Sequence, residues 1–314
     1  MMNSISIIIP NLNGEEFLPA CLKSLKPAID QAKIDAEIIL VDNASSDTSP
    51  EIFTSFCQKN EIRYQLLSLN KNYGFAGAVN RGVKASKSDW ILVCNNDLKI
   101  DKNWFVHTTQ LLNYSTTKLF NYSSTKLAAI TGTVLNYDGS RFESQGLKFH
   151  YSGKCDNISN GQPYSTTSLK NYSTNQLIWG ASAALTLYNK KIFNKVGAFD
   201  ENFFAYEEDV DLSLRLHNLG YTTLYVPRAI SYHLGGATSS RMGNFRHRMD
   251  AKNWIYIILK NYSTTQLLIY FPFILIERLR NLSGLIKNTP LKDIPKDVFR
   301  TYGEVIKTIP KILL

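Results

Sequence analysis

Between Phe203 and Leu214 the chain reads FFAYEEDVDLSL, which sets Glu207, Glu208, Asp209 and Asp211 within five positions beside an aromatic cluster. Val210, Leu212, Leu214, Leu216 and Leu219 follow, some at helical spacing, so the carboxylates open a helix expected over Glu207–Leu219. The exposed N–H groups and dipole of a first turn favour Asp and Glu there. That accounts for two of the four; the others repel unless a cation or a proton-transfer role offsets the cost. A carboxylate held in this way can act as a general base.

Other segments carry ligand chemistry. Asn95-Asn96-Asp97 ends the apolar run Trp90–Cys94. A carboxylate there can bind Mg2+ or Mn2+ while the ion also takes diphosphate oxygens and water, although a plain turn has the same composition. A lone histidine is more often a structural hydrogen-bonder; with Asp97 and Asp209 in the chain, His233 is a candidate ligand for a borderline metal such as Mn2+. Pro10-Asn11-Leu12-Asn13-Gly14 offers amides and backbone donors that can hold a base or ribose, or cap a helix. Asp42, opening the polar run Asp42–Asp47, can accept from a pyrimidine N–H or a ribose hydroxyl. Asn72–Asn80 is glycine-rich, but Gly74, Gly77 and Gly82 fit neither familiar phosphate-loop pattern, so ATPase and dehydrogenase readings lose their main support.

These groups need a scaffold. Strands are expected at Ser4–Pro10, Glu37–Val41, Ile62–Ser68 and Trp90–Cys94, alternating with helices at Glu15–Leu25, Thr48–Lys59 and Phe75–Ser86. Strand–helix alternation implies an α/β fold, a mostly parallel central sheet flanked by helices, with ligands at the strands' carboxyl ends. The polar clusters at Asn11–Gly14, Asp42–Asp47 and Asn95–Asp97 all fall there. Further strands are expected at Ala128–Val134, Gly180–Leu187 and Thr222–Val226, a helix at Lys190–Val196, and helical pattern beyond about Arg241.

With 314 residues and 44% hydrophobic content, the chain suits one large domain with an appendage, here 1–240 followed by a basic helical tail, 241–314. From Arg241 onward 13 Lys/Arg stand against 5 Asp/Glu, so +8 of the net +9 lies in the last quarter. The apolar runs Trp254–Leu259 and Leu267–Ile276 are shorter than the roughly 20 residues of a membrane span, and Pro272 interrupts the second. Interleaved basic and apolar residues suit a helix lying on an anionic membrane surface, a peripheral placement. A nucleic-acid patch would carry less aliphatic bulk, so no nucleic-acid partner is expected. The plain alternative is a set of helices packed on the rest of the chain with Lys and Arg outward. Four scattered cysteines and a first segment that reads as a strand rather than a signal peptide suit a reducing, cytoplasmic setting. A short NYSTTKL-like element recurs at Asn113, Asn121, Pro163, Asn171 and Asn261, without a sustained period. It reads as low-complexity sequence tolerated in loops and helix ends.

Taken in order, the motifs at Ile7–Gly14, Ile39–Asp47, Asn72–Asn80, Asn95–Asp97, Gly180–Ala183, Val196–Asp211, Arg215, Gly220-Tyr221 and His233 resemble the family 2 glycosyltransferases of GT-A fold, over roughly residues 4–240. The likeness is greatest to the bacterial branch that includes rhamnosyltransferases of cell-surface polysaccharide assembly. That resemblance implies an inverting, metal-dependent transfer from a nucleoside-diphosphate sugar, dTDP-rhamnose first and UDP-linked sugars next. The acceptor would be a glycan or polyprenol-linked molecule at the cytoplasmic face of the inner membrane. It implies nucleotide-sugar contacts from Pro10, Asn11, Asn13, Asp42, Asn80, Asn96 and Asp97. Asp97 and His233 would hold the divalent cation, with Asn95 standing where the family's Asp-x-Asp has its first carboxylate. Asp209 would be the base, Glu208 its neighbour and Asp211 the alternative base. Trp179, Phe203, Phe204 and Tyr206 would wall the sugar pocket. Two rivals are a catalytically impaired sugar- or membrane-binding descendant and a nucleotidyltransferase. The latter would need a cation in Asn11–Gly14, which has none.

Overall fold

The computed structural model describes residues 4–114, 126–165, 175–235 and 244–312. The repeat copies beginning at Asn113, Asn121, Pro163 and Asn171 run outside the described residues. β1 (Ser4–Asn11), β2 (Asp35–Asp42), β3 (Arg63–Ser68) and β4 (Trp90–Cys94) alternate with α1 (Leu18–Ala32), α2 (Ser49–Lys59) and α3 (Gly74–Ala85). β4 and the Ile7–Pro10 stretch of β1 read as unbroken apolar runs because helices cover both faces of the sheet. Next come β5 (Leu98–Ile100), α4 (Trp104–Tyr114), β6 (Leu127–Asn136), β7 (Phe142–Ser144) and the small pair β8 (Leu147–Phe149) and β9 (Cys155–Asn157). β10 (Gln176–Ile178), β11 (Leu185–Asn189), α5 (Lys190–Lys195), α6 (Glu208–Asn218) and β12 (Thr222–His233) complete the sheet region. α7 (Phe245–Asn261), α8 (Thr264–Lys287) and α9 (Ile294–Ile312) follow.

The sheet order is β10-β12-β6-β11-β4-β1-β2-β3, with β5 on β12 and β7 on β6. Pairing is parallel from β3 through β4 and mixed beyond, where β11 runs antiparallel to both β4 and β6. One face packs on α1, α2 and α4 through residues such as Leu22, Phe53 and Phe105; the other packs on α3, α5 and α6 through Val79, Phe193 and Leu212. A third cluster joins Phe203, Val210 and Leu214 to Trp254, Tyr256 and Ile257 of α7, so the first helix beyond residue 240 is buried against the acidic segment.

Several element boundaries differ from expectation for physical reasons. α1 continues through Pro27 to Ala32, because Leu22, Leu25 and Ala28 keep one buried face on the sheet. β11 starts at Leu185 rather than Gly180, since the backbone of 180–184 is engaged elsewhere: Gly180 O accepts from Leu147 N and Ala183 N donates to Asp209. β12 passes Pro227 and reaches His233 by way of a register shift between Val226 and Ile230.

Candidate active site

The acidic segment is held in an unusual backbone shape. Phe204, Tyr206 and Glu207 have φ of 67°, 67° and 66°, left-handed values that cost side-chain-bearing residues of order 1 kcal/mol or more each. The buried amide of Asn253 on α7 restrains them. Its Nδ2 donates to the carbonyls of Phe203 (3.1 Å), Ala205 (2.8 Å) and Tyr206 (2.7 Å). On the other side Phe204 O accepts from Ala76 N at 3.2 Å, an approach possible because position 74 is glycine. A Cβ at Gly74 would strike Phe204 itself, and its φ of 76° is also one that L side chains rarely adopt.

Glu207 thus stands at the N-cap position of α6, its carbonyl accepting from Asp211 N at 3.0 Å with no side-chain cap, and Asp209 turns into the loop before β11. Its Oδ2 accepts from Ala183 N at 2.9 Å and its Oδ1 from Val210 N at 2.8 Å. Burial pushes the Asp209 carboxyl above its ordinary range, and these two N–H groups oppose the shift. Glu208 is pushed much higher, first by burial and then by the charge of Asp209, and its Oε2 has no partner. Of this pair, Asp209 ionises first and the proton stays on Glu208. Asp211 is a different case: fully buried, it pairs with Arg215 at 2.8 Å and Lys260 at 3.1 Å and is not among the residues lining the cleft described below. Both of these partners are cations and it is spent on them, which argues against it as an alternative base.

Strand register brings the second carboxylate near. In the antiparallel pairing of β5 with β12, His233 faces Leu98, and Leu234 N donates to Asp97 O at 3.1 Å. His233 Nε2 lies 3.0 Å from Asp97 Oδ1 and its Nδ1 2.6 Å from Glu143 Oε1 of β7. Burial alone would lower the imidazole pKa, but the two carboxylates outweigh it and hold it up to about 10. Among the described residues no three His, Cys, Asp or Glu side chains converge on one point. Even so, the donors suit a divalent cation shared with a diphosphate. Asp97 and His233 meet, Glu143 can keep the ring by its other nitrogen, and the buried Oδ1 of Asn95 is unpartnered beside them.

The two halves are joined by short links. Asn95 N donates to Ala184 O at 2.9 Å, one residue from the N–H that holds Asp209. Asp97 and Asp209 therefore line a single cleft of ≈ 630 Å³, together with Pro10, Asn11, Asn43, Asn96, Glu143, Phe204, Tyr206, Glu208, His233 and Arg246. Asn96 donates to Asn11 Oδ1 at 2.8 Å while Asn11 Nδ2 donates to Ser49 Oγ at 2.8 Å, so the side chain of Asn11 is a bracket between loops. That bracket closes over position 14, where a Cβ would meet both Asn11 and Asn96.

Other expected contacts are not on the cleft wall. Asn13 clasps the second loop, accepting from Ser46 N at 2.8 Å. Asp42 is buried and accepts from Ser45 N at 3.3 Å; its neighbour Asn43 lines the cleft instead, donating to Asn72 Oδ1 at 2.8 Å. Asn80 is spent on the backbone of Phe199, donating to its carbonyl at 2.8 Å and accepting from its N–H at 3.2 Å. Among the aromatics, Phe204 and Tyr206 line the cleft, Phe203 is core, and Trp179 stacks on Phe149 with ring centroids 5.0 Å apart. Asn43 lay inside the marked run Asp42–Asp47 without being singled out, and Glu143, Arg246 and Asn253 carried no motif that marked them.

Residues 6–197, more than half of the chain, match the profile of "Glycosyl transferase family 2", and 158–292 that of "Glycosyl transferase family group 2". The chain belongs to glycosyl transferase family 2. Within curated family relatives, the undecaprenyl-phosphate 4-deoxy-4-formamido-L-arabinose transferase of Photorhabdus laumondii is 35% identical over 98 residues, which cover 31% of this chain and 30% of that protein. The match thus spans about a third of either molecule. Among solved structures, GalNAc-T7 with UDP, GalNAc and Mn2+ superposes with a TM-score of 0.63 at 14% identity, covering 99% of this chain and 56% of that one. S. aureus TarS 1-349 superposes at 0.56 and 14% identity, covering 99% and 82%. At such identities the glycosyltransferase likeness is one of fold, and it agrees with the GT-A architecture described above.

Proposed function

We propose that this glycosyltransferase moves a sugar, with inversion, from a pyrimidine nucleoside-diphosphate sugar to a hydroxyl of a glycan or polyprenol-linked acceptor. The observation that carries the reading is the common cleft of Asp97 and Asp209. In the proposed step Asp209 takes the proton of the acceptor hydroxyl as that oxygen bonds to the anomeric carbon. The bond from that carbon to the diphosphate oxygen breaks on the opposite face, and the electron pair leaves with the nucleoside diphosphate. No covalent intermediate with the protein is needed. A bound Mg2+ or Mn2+ would supply Lewis-acid neutralisation of the departing diphosphate, held by Asp97 and His233 with the Asn95 amide oxygen. Glu208, kept protonated, leaves Asp209 as the ionised member of the pair.

Solved structures of TarS with UDP-GlcNAc and of GalNAc-T7 with UDP and Mn2+ support a UDP-type donor and a divalent cation. dTDP-rhamnose stands beside it as the donor that the resemblance favours. The undecaprenyl phosphate in the relative's name supports a lipid-linked acceptor. Four free thiols fit a reducing compartment, which supports a reaction on the cytoplasmic side of a membrane. The test is a panel of UDP-, dTDP- and GDP-sugars scored by thermal stabilisation with Mn2+ and with chelator. One pyrimidine nucleotide sugar should raise the melting temperature in a Mn2+-dependent way and be slowly hydrolysed. Absence of any such shift across the panel would overturn the reading.

A further inference from the structure

α8 is built inside out. Its outward face carries Leu268, Ile269, Phe271, Phe273, Ile276 and Leu279, exposed from 50% at Ile276 to 75% at Leu268. Three of its polar side chains turn inward instead: Glu277 is only 17% exposed, and buried atoms of Arg278 and Asn281 have no partner. In water a helix takes the reverse arrangement. The helix packs along α7, so one side is committed to the protein and the other is free. Ser263 and Gln266 form a capping box at its start, which fixes where the apolar face begins. No helix among the described residues is long and apolar enough to cross a membrane.

Charge decides what covers this face. Arg280 on α8 is 70% exposed, and on α9 the exposed Lys296, Arg300 and Lys307 run beside exposed Phe299 and Ile306. From Arg241 to the end, 13 Lys/Arg oppose 5 Asp/Glu. A second copy docked on α8 would bring these cations against their own kind. An anionic lipid surface offers both an apolar layer and the opposite charge. We infer that α8 lies in the plane of an anionic bilayer, its Leu268–Leu279 face seated among the acyl chains and the basic side chains of α8 and α9 at the headgroups. The cleft is thereby held at the surface from which a lipid-linked acceptor comes, and only in that respect does the inference rest on the proposed transfer.

The test uses the full chain with vesicles of phosphatidylcholine alone and of phosphatidylcholine with one-quarter phosphatidylglycerol, scored by co-sedimentation. The wild type should pellet with the anionic vesicles and remain in solution with the neutral ones. Phe271→Asp with Phe273→Asp should weaken partitioning by roughly a hundredfold, about tenfold for each Phe withdrawn. Lys296→Glu with Lys307→Glu should weaken it as well. Both variants should keep the wild-type melting temperature and donor hydrolysis, because the altered side chains are solvent-exposed. Failure of the wild type to bind, or undiminished binding by the aspartate pair, overturns the inference and leaves the transfer reading intact. A lipid-free dimer that the aspartate pair dissolves also overturns it, in favour of self-association. Vesicle binding without donor hydrolysis would do the opposite, sparing this surface and sinking the transfer reading.

Discussion

Replacing Asn253 by alanine tests whether the acidic segment is held in its working shape from a distance. The amide donates to three carbonyls at 2.7 to 3.1 Å from a position with no solvent exposure. Its two N–H groups contribute about 1 kcal/mol each, and of the carbonyls left behind that of Phe203 is buried while those of Ala205 and Tyr206 are half-buried. They oppose strain of roughly 3 kcal/mol at Phe204, Tyr206 and Glu207, at about 1 kcal/mol apiece. Losing about 2 kcal/mol of restraint should let the loop relax for much of the time. A penalty of that size corresponds to roughly 30-fold in kcat/KM. The loss should fall on kcat, because the loop leads into Asp209, while donor KM moves little, since Asp97 and the asparagine loops are untouched. Initial rates at varied donor, together with a melting curve, separate the two. Asn253→Asp is the informative companion, with the same shape and no donor, and it should be at least as damaging as alanine. An aspartate variant with wild-type turnover, or an alanine variant that melts earlier yet keeps kcat, would refute the clamp.

Asp209→Asn should lower turnover by about 10²- to 10⁴-fold with donor binding nearly intact. Its new NH2 must face either Ala183 N or Val210 N, so a stability cost of about 1–3 kcal/mol should show in the melting curve; full turnover would remove Asp209 as the base. Because burial raises the Asp209 pKa and only its ionised form accepts the proton, activity should be lost on acidification at a pH above the ordinary carboxylate range. Glu208→Gln should leave that acid limb in place, since Glu208 is already neutral; a limb that moves reassigns the proton. Asp97→Ala should weaken Mn2+-dependent donor binding, and an unchanged Mn2+ titration would take Asp97 out of the site. Asp211→Asn should cost about 3–5 kcal/mol of stability by stranding Arg215 and Lys260, with turnover per folded molecule retained; loss of turnover at full stability would restore it as a candidate base.

Which of these residues could be read in advance follows from how local their partners are. β1, β2 and β4 and the turns after them were legible because their doubly covered stretches are apolar and are closed or followed by Asn or Asp. Asn80 and Asn11 look alike in a sequence, as amides near strand or helix ends. One is bound to the backbone of Phe199, 119 positions away, the other to Asn96 and Ser49, and no local pattern distinguishes those fates. The same limit hid the strand boundary at Leu185, because Gly180–Ala184 is apolar enough for a strand while the N–H of Ala183 serves a carboxylate 26 positions later. Backbone shape was hidden too, since left-handed φ is normally announced by glycine and here falls on Phe204, Tyr206 and Glu207. What permits it is Asn253, within a segment whose composition reads as a basic tail. A change in charge at residue 240 marks where lysine and arginine accumulate. It does not mark where the site ends, because the amide that shapes the approach to Asp209 lies beyond it. Variants that truncate the chain near 240 should therefore lose the acidic segment's geometry along with the helices, and a truncated chain with wild-type turnover would show that the segment holds its shape alone.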